Sequence, residues 1–514
     1  MESVRPIRPR TKIVSLPAPV GGWNARDSYA QMKPEDAVVL QNYFPSATSV
    51  ALRFGHSQFA TGMTGQSETV MAYAGANTNK LFSANVGGRI YNITAGGAIG
   101  AADVSSLTNG RWQYINVATT GGNYLMAVNG ADKARYYTGS AWDSDGAASL
   151  TITGVDSAAC IGINVFKNRV WLIEQNTLKA WYLPTGSVAG AASLLDLRAF
   201  APHGGKLVAM GTWTIDAGYG VDDMAAFLTS KGDVIVYRGT DPSSATTWAM
   251  VGQWWIGSPV GNRPFVKWKG DLLIICQDGV FPLSAALQSS RMNPRVALTD
   301  KIKKAMTTAV GGSGSNFGWQ LLPFPAQNML ILNVPLNAGS GQEQYVMNTI
   351  TGSWGQFQDW SANCWELYND AIYFGGNTYV GKAWNTNADN GAAIDGFILQ
   401  AFNDFGAPGQ RKRVASMRPL FLSNGTPKVF GGMNWDYDLS DTSTALSTTS
   451  TTFAVWDTAT WDNGIWAGGL VPNYKLQNAT GSGWVGAPVF KSTTNGLELE
   501  LISNDINLEI GGFL

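Results

Sequence analysis

The sequence predicts an all-β chain: a six- or seven-bladed β-propeller with an additional C-terminal β-domain and few short helices. Three observations lead there. A two-strand unit recurs seven times at spacings of 42 to 57 residues, the period of a propeller blade. The composition, with 60 Gly, 20 Trp and only 14% charged residues, favours strands and tight turns over long helices. Helical periodicity is confined to two short stretches.

The repeats carry most of the argument. They read "LFSANVGGRIYNIT" from Leu81, "YLMAVNGADKARYY" from Tyr124, "RVWLIEQNTLKAWYL" from Arg169 and "AAFLTSKGDVIVY" from Ala225. They continue with "LLIICQDGVFPL" from Leu272, "MLILNVPLNAGSGQEQYVM" from Met329 and "AIYFGGNTYVGKAW" from Ala371. Each is an apolar strand, a turn rich in Gly, Asn or Asp, and a second strand. A lone hairpin cannot bury its apolar face, so seven of them must stack around something. A long β-sandwich is the alternative.

The other elements follow in chain order. Residues 1–49 read as an extended arm and a short helix. The arm carries Arg5, Arg8, Arg10 and Lys12 among Pro6 and Pro9, and its charges suit DNA, an acidic neighbour or solvent. The helix is expected in "KPEDAVVLQNYF" at 33–44, with Pro34 at its first position and acids in its first turn. Residues 50–400 form the propeller, and "VALRFGHSQFATG" at 50–62 is the strand expected to close its ring. A second helix is expected at 298–310, with Ile302, Met306 and Val310 on one face and Thr299 or Asp300 as cap. Residues 401–514 form a Trp-rich β-domain, in which "LELELISNDINLEI" at 497–510 alternates as a half-buried strand.

Catalytic chemistry is hard to find. Two histidines, His56 and His203, make a histidine triad or a multi-histidine metal site improbable, and each reads as a surface or turn residue. There is no P-loop, GxSxG elbow or HExxH. Cys160, Cys276 and Cys364 fit no zinc spacing and read as buried thiols. Asp436, Asp438 and Asp441 are close in sequence but lack the Gly and distal Glu of an EF-hand, so a solvated loop is expected. No metal, cofactor or catalytic residue is assigned, and the chain is read as a non-enzyme. Net charge is −1, which gives no global field for nucleic acid. The N-terminus lacks the apolar stretch of a signal peptide, and apolar runs such as "LLIIC" at 272–276 fall short of a membrane span. Synthesis in the cytoplasm and no membrane anchor are therefore expected.

The stretch "FAVWDTATWDNGIWAGG" at 453–469 holds Trp456, Trp461 and Trp466. Its Trp-Asp pairs cluster in the tail rather than recurring once per blade, so they are not WD repeats. "TWDNGIW" at 460–466 is one degenerate copy of the sialidase Asp-box, and such a turn is structural. The three tryptophans are read as an aromatic staple and a candidate contact between copies. Arg411, Lys412 and Arg413 read first as a solvated turn at a domain boundary and second as part of that contact. Glu498 and Glu500 are the candidate lumen-facing acids.

Three stretches together resemble the tail nozzle proteins of short-tailed bacteriophages, the group of tail tubular protein B and the packaged-DNA stabilisation proteins. They are "LPAPVGGWNARDSYAQMKPEDAVVLQNYFPSATSVALRFGHSQFATG" at 16–62, "DGVFPLSAALQSSRMNPRVALTDKIKKAM" at 278–306, and the tail with "RKRVASMRPLFLSNG" and "WDTATWDNGIWAGG". The resemblance implies a virion component in a hexameric ring at the distal end of the tail tube, below the adaptor and beside other tail proteins such as fibres. Packaged DNA would be retained behind its gate and leave through its lumen without sequence-specific binding. A glycan-binding or glycan-cleaving, sialidase-like propeller is the competing expectation, and a propeller scaffold for protein partners the third.

Overall fold

Seven small antiparallel sheets follow one another along residues 56–383 of the computed structural model. The structure describes residues 10–147, 149–216, 221–286, 294–337, 340–448 and 469–511. Blade 1 is built of Ser67–Ala74, Asn79–Asn85 and Arg89–Asn92; blade 2 of Gln113–Thr119, Gly122–Val128, Arg135–Tyr137 and Trp142–Ser144. Blade 3 holds Cys160–Phe166, Arg169–Glu174, Lys179–Tyr182 and Ser193–Asp196; blade 4 holds Leu207–Asp216, Val221–Thr229, Asp233–Gly239 and Trp248–Trp255. Blade 5 holds Phe265–Trp268, Asp271–Cys276 and Gly279–Pro282; blade 6 holds Gln320–Phe324, Met329–Asn337 and the start of Ser340–Asn348.

Blade 7 closes the ring. Trp365–Tyr368, Ala371–Gly375 and Val380–Ala383 are joined by His56–Thr61, which arrives from the far end of the chain as the outer strand. The ring-closing strand expected at 50–62 therefore lies in its second half. All seven hairpins read from the sequence are the second and third strands of their blades. Their turns use residues that tolerate positive φ: Gly87 and Gly88 in blade 1, Asn176 in blade 3 and Gly232 in blade 4.

Neighbouring blades share apolar cores. Val70 and Leu81 meet Tyr373 and Val380 between blades 1 and 7, and Phe82 and Tyr73 meet Tyr137 between blades 1 and 2. Further round, Val170 and Leu172 meet Met126 and Tyr136, Trp171 meets Phe227 and Trp248, and Ala226 and Val236 meet Ile274. The rings of Trp171 and Trp248 stack 5.7 Å apart. Arg263 bridges to Gln320 from blade 5 to blade 6, and Gln320 exchanges side-chain hydrogen bonds with the Trp365 backbone of blade 7. The fold is a seven-bladed β-propeller.

Residues 58–343 and 360–382 form this unit. The second unit gathers residues 1–57, 344–359 and 383–514. Its first sheet has Lys412–Ser423 and Leu499–Ile510 at its centre, with Arg10–Pro17 and Val50–Leu52 both pairing Leu499–Ile510, and Tyr43–Pro45 beyond. Its second sheet runs Trp354–Phe357, Asp36–Gln41, Ile394–Gln400, Gly486–Thr494 and Lys428–Trp435. The sheets face each other: Phe421 meets Phe490 edge-on at 5.5 Å, and the Tyr43 hydroxyl lies 2.9 Å from that of Ser492.

The helix expected at 33–44 is instead a turn followed by the strand Asp36–Gln41. Pro34 lies in that turn, where the Asp36 amide donates to the Lys33 carbonyl. The run Val38, Val39, Leu40 is nearly continuous in burial because the strand has neighbours on both sides and is covered on both faces. The second helix is present as a 3-10 turn, Asp300–Ile302, leading into Lys303–Ser313. Thr299 does not cap it: its hydroxyl accepts the Val280 amide at 3.1 Å.

Candidate functional site

The first strand of every blade faces a shared axial cavity of about 350 Å³. That is room for about a dozen water molecules at about 30 Å³ each. Among the described residues that line it, Glu366 is the single carboxylate and Arg263 the single cation.

Arg263 leads into blade 5, and both terminal nitrogens of its guanidinium are hydrogen-bonded. One nitrogen donates to Thr69 Oγ1 at 2.8 Å and to the Trp112 carbonyl at 3.0 Å; the other donates to Gln320 Oε1 at 3.2 Å. Thr69 belongs to blade 1 and Trp112 precedes blade 2. Blades 5 and 1 lie on opposite sides of a seven-membered ring, so this side chain spans the axis as a strut. Phe317, in the segment before blade 6, lies against the strut: its ring centroid is 5.6 Å from the Arg263 guanidinium and 4.7 Å from that of Arg111. Arg111 is fixed in turn by Glu68 at 2.8 Å. These residues sit at the starts of the inner strands, and they obstruct that mouth of the channel.

Glu366 of blade 7 hydrogen-bonds to Tyr114 of blade 2, whose hydroxyl accepts the Ala72 amide of blade 1 at 3.1 Å. Burial pushes its carboxyl up to about 7, against the lowering effects of Tyr114, the Leu367 amide and the Arg263 charge. Hydrolysis of a glycoside canonically uses two carboxylates, and this cavity offers one.

The histidines are held by carboxylates. His203, half-exposed, lies 2.6 Å from Asp233 in blade 4. His56 is not the surface residue expected: it is buried, 3.1 Å from Asp389, which also accepts Arg53 at 2.9 and 2.6 Å. Arg53 further donates to Asn42 and to the Gln358 carbonyl. Burial alone would raise the Asp389 carboxyl; the hydrogen bonds from His56 and Arg53 outweigh it and hold it below the usual range.

The three thiols are buried, and burial pushes Cys160 and Cys276 up to about 12 and Cys364 up to about 11. Asp436, Asp438 and Asp441 each have a separate partner: the Trp484 and Val485 amides, Ser440, and Lys491. No group of three or more metal-ligating side chains occurs among the described residues.

Trp456, Trp461 and Trp466, and with them the degenerate Asp-box, lie outside the described residues. Arg411 and Arg413 are exposed, the latter 3.6 Å from Glu509. Lys412 departs from the solvated-turn reading. It is buried in the long strand Lys412–Ser423, and its ammonium donates to the carbonyls of Gln410 and Trp484. Burial pulls its pKa down against the charges of Asp404 and Asp436. Glu498 and Glu500 belong to the two-sheet unit; Glu500 pairs with Leu422 and Ala51 in register, between buried Leu499 and Leu501. Sequence reasoning did not find Arg263, Phe317, Tyr114 or Glu366, because none stands in a motif and blade closure alone brings them together.

No family model and no curated protein matches the chain. Among solved structures it is similar to BBS1N in complex with ARL6DN, at 10% identity over 66% of this chain and 98% of that one, TM-score 0.39. It is also similar to the Cps50 (Swd1) β-propeller domain of Myceliophteria thermophila, at 12% identity over 64% and 99%, TM-score 0.39. The fold assignment rests on the strand pairings and the shared channel. No helix among the described residues is long and apolar enough to cross a membrane.

Proposed function

We propose that the chain is a structural subunit of a short-tailed phage tail nozzle, acting as a ring of identical copies, six by its resemblance, that retains packaged DNA and later lets it out. The observation that carries the reading is how the resembling stretches fold. The stretch at 16–62 and the tail beyond 401 are separated by the whole propeller. Yet Val50–Leu52 pairs with Leu499–Ile510, which pairs in turn with Lys412–Ser423 of the resembling tail. Two segments that resemble one family at opposite ends of its sequence thus build one double-sheet unit, with the propeller inserted between them.

The obstructed axial cavity supports one arrangement of such a subunit. A duplex whose major groove alone is about 12 Å wide cannot thread a channel spanned by Arg263. The conduit would lie between copies, and the propeller would be solid wall. A closed ring needs heterologous contacts whose rotation closes. The near-neutral net charge suits a wall that does not grip a sliding polyanion.

Sizing the purified protein, alone and with tail adaptor protein, and imaging the assembled particle test the proposal. The expected result is a ring with a central opening wide enough for duplex DNA, bound to the adaptor. A monomer that ignores the adaptor and binds or cleaves glycans on an array would replace it with the glycan reading.

A further inference from the structure

Six of the seven blades protect their outer edges, in the ways that sheet proteins avoid unwanted pairing. In blade 1 the last strand is bridged by Val104 to Ile90. Blade 2 ends in only three residues, Trp142–Ser144, one of them Asp143. Blade 3 ends in four, Ser193–Asp196, closing on an Asp paired with Arg198. The last strand of blade 5 runs directly into the helix Leu283–Ala286. Blade 6 holds only the start of its third strand, Ser340–Asn348, so its outer edge is short. In blade 7 the outer strand is covered by Gly97–Ala98.

Blade 4 has none of these covers, and a bulge at Val251 is the one irregularity of its outer strand. Its outer strand, Trp248–Trp255, is eight residues long with the sequence WAMVGQWW, free of charge and of proline. No other described strand pairs with its far side. Met250, Val251 and Trp255 are 41%, 43% and 41% exposed. Exposed cations stand near both ends, Arg238 in register with Ala249 and Lys231 beside Trp255. The Trp255 indole donates to the Lys231 carbonyl at 2.9 Å, and the Lys231 side chain is exposed, with no ion pair among the described residues.

We propose that Trp248–Trp255 is a docking edge for an extended segment of a partner protein, uncharged along its middle and carrying a carboxylate where it meets Lys231. Backbone hydrogen bonds along the open ladder would supply affinity, and alternate side chains the selectivity. A charged residue opposite Met250 or Val251 would lose water without gaining a partner, whereas a carboxylate at the Trp255 end finds the Lys231 ammonium. The proposal goes beyond the nozzle reading and concerns the single chain, so it stands or falls without the ring.

The test uses capped peptides with a Thr-Val-Thr-Val-Thr-Val-Thr middle and either Glu or Lys at both ends, plus the Glu form N-methylated at alternate amides. Titration against the full-length protein is read by calorimetry and by amide hydrogen exchange. The Glu peptide should bind saturably and protect amides within 248–255, with the Lys and N-methylated forms at least tenfold weaker. Lys231→Glu should reverse the preference between Glu and Lys peptides. Val251→Lys, or Met250→Lys should the first fail to fold, should abolish binding with the unfolding transition unchanged. Absence of binding, protection elsewhere, equal affinity for the N-methylated form or indifference to Lys231→Glu would overturn the proposal. So would self-association abolished by Val251→Lys, which would make a second copy the occupant.

Discussion

Glu366, with its carboxyl raised to about 7 by burial in the channel wall, ties stability to pH. The unfolded carboxyl releases its proton near about 4.3, so the folded chain binds more protons between those values. Its contribution is fully present below the lower value and is lost as pH rises through the upper one. Glu366→Gln should flatten that part of the profile and raise the urea midpoint at pH 8 relative to pH 5. Equal pH dependence in both proteins would refute the assignment. Asp389 runs the other way: held below its ordinary range, it stabilises above the unfolded value of about 3.9, and that contribution is lost as pH falls through the folded one. Asp389→Asn leaves Arg53 buried without its carboxylate and should cost about 3–5 kcal/mol in denaturant titrations at pH 7. Arg263→Met removes the strut and should cost about 2–4 kcal/mol, lowering the melting temperature.

At the scale of elements, strand and hairpin were the legible features. Seven turns with Gly, Asn or Asp between β-type runs marked the middle of seven blades, because positive φ and alternating burial leave a local signature. Asp36–Gln41 was misleading for a physical reason: Pro34, Glu35 and Asp36 form a helix-start pattern, and only the neighbouring strands 394–400 and 354–357 decide against it. Lys412 was unreadable similarly, since its burial comes from partners at 410 and 484. The outer strand of blade 7 offers an element-scale prediction. Ala60 is fully buried there and lies opposite Gly97. Ala60→Pro removes a backbone donor from a buried strand and should cost about 1–3 kcal/mol, seen as a lower thermal midpoint with near-UV dichroism altered. An unchanged midpoint would mean the closing strand contributes little.

For the whole molecule, the all-β class and the propeller were readable from period and composition. The partnership of residues 10–52 with 394–510 was not, because pairing between strands about 360 to 500 positions apart leaves no local trace. Removing residues 1–52 strips Arg10–Pro17, Gly22–Trp23, Asp36–Gln41, Tyr43–Pro45 and Val50–Leu52 from the double-sheet unit and leaves every propeller strand in place. Calorimetry of the shortened chain should show the propeller transition with the other one lost; two intact transitions would contradict the division into units.

The register Arg10↔Ile510 through Pro17↔Ser503 also sets an order of events at the ribosome. At about 5–20 residues per second, the earliest strand emerges on the order of tens of seconds before its mate exists. Seven blades can condense during that interval, while the leading segment waits, a tacky unpaired ribbon within reach of other nascent chains. Chaperone demand should therefore peak late in translation and subside once residue 510 has cleared the exit tunnel.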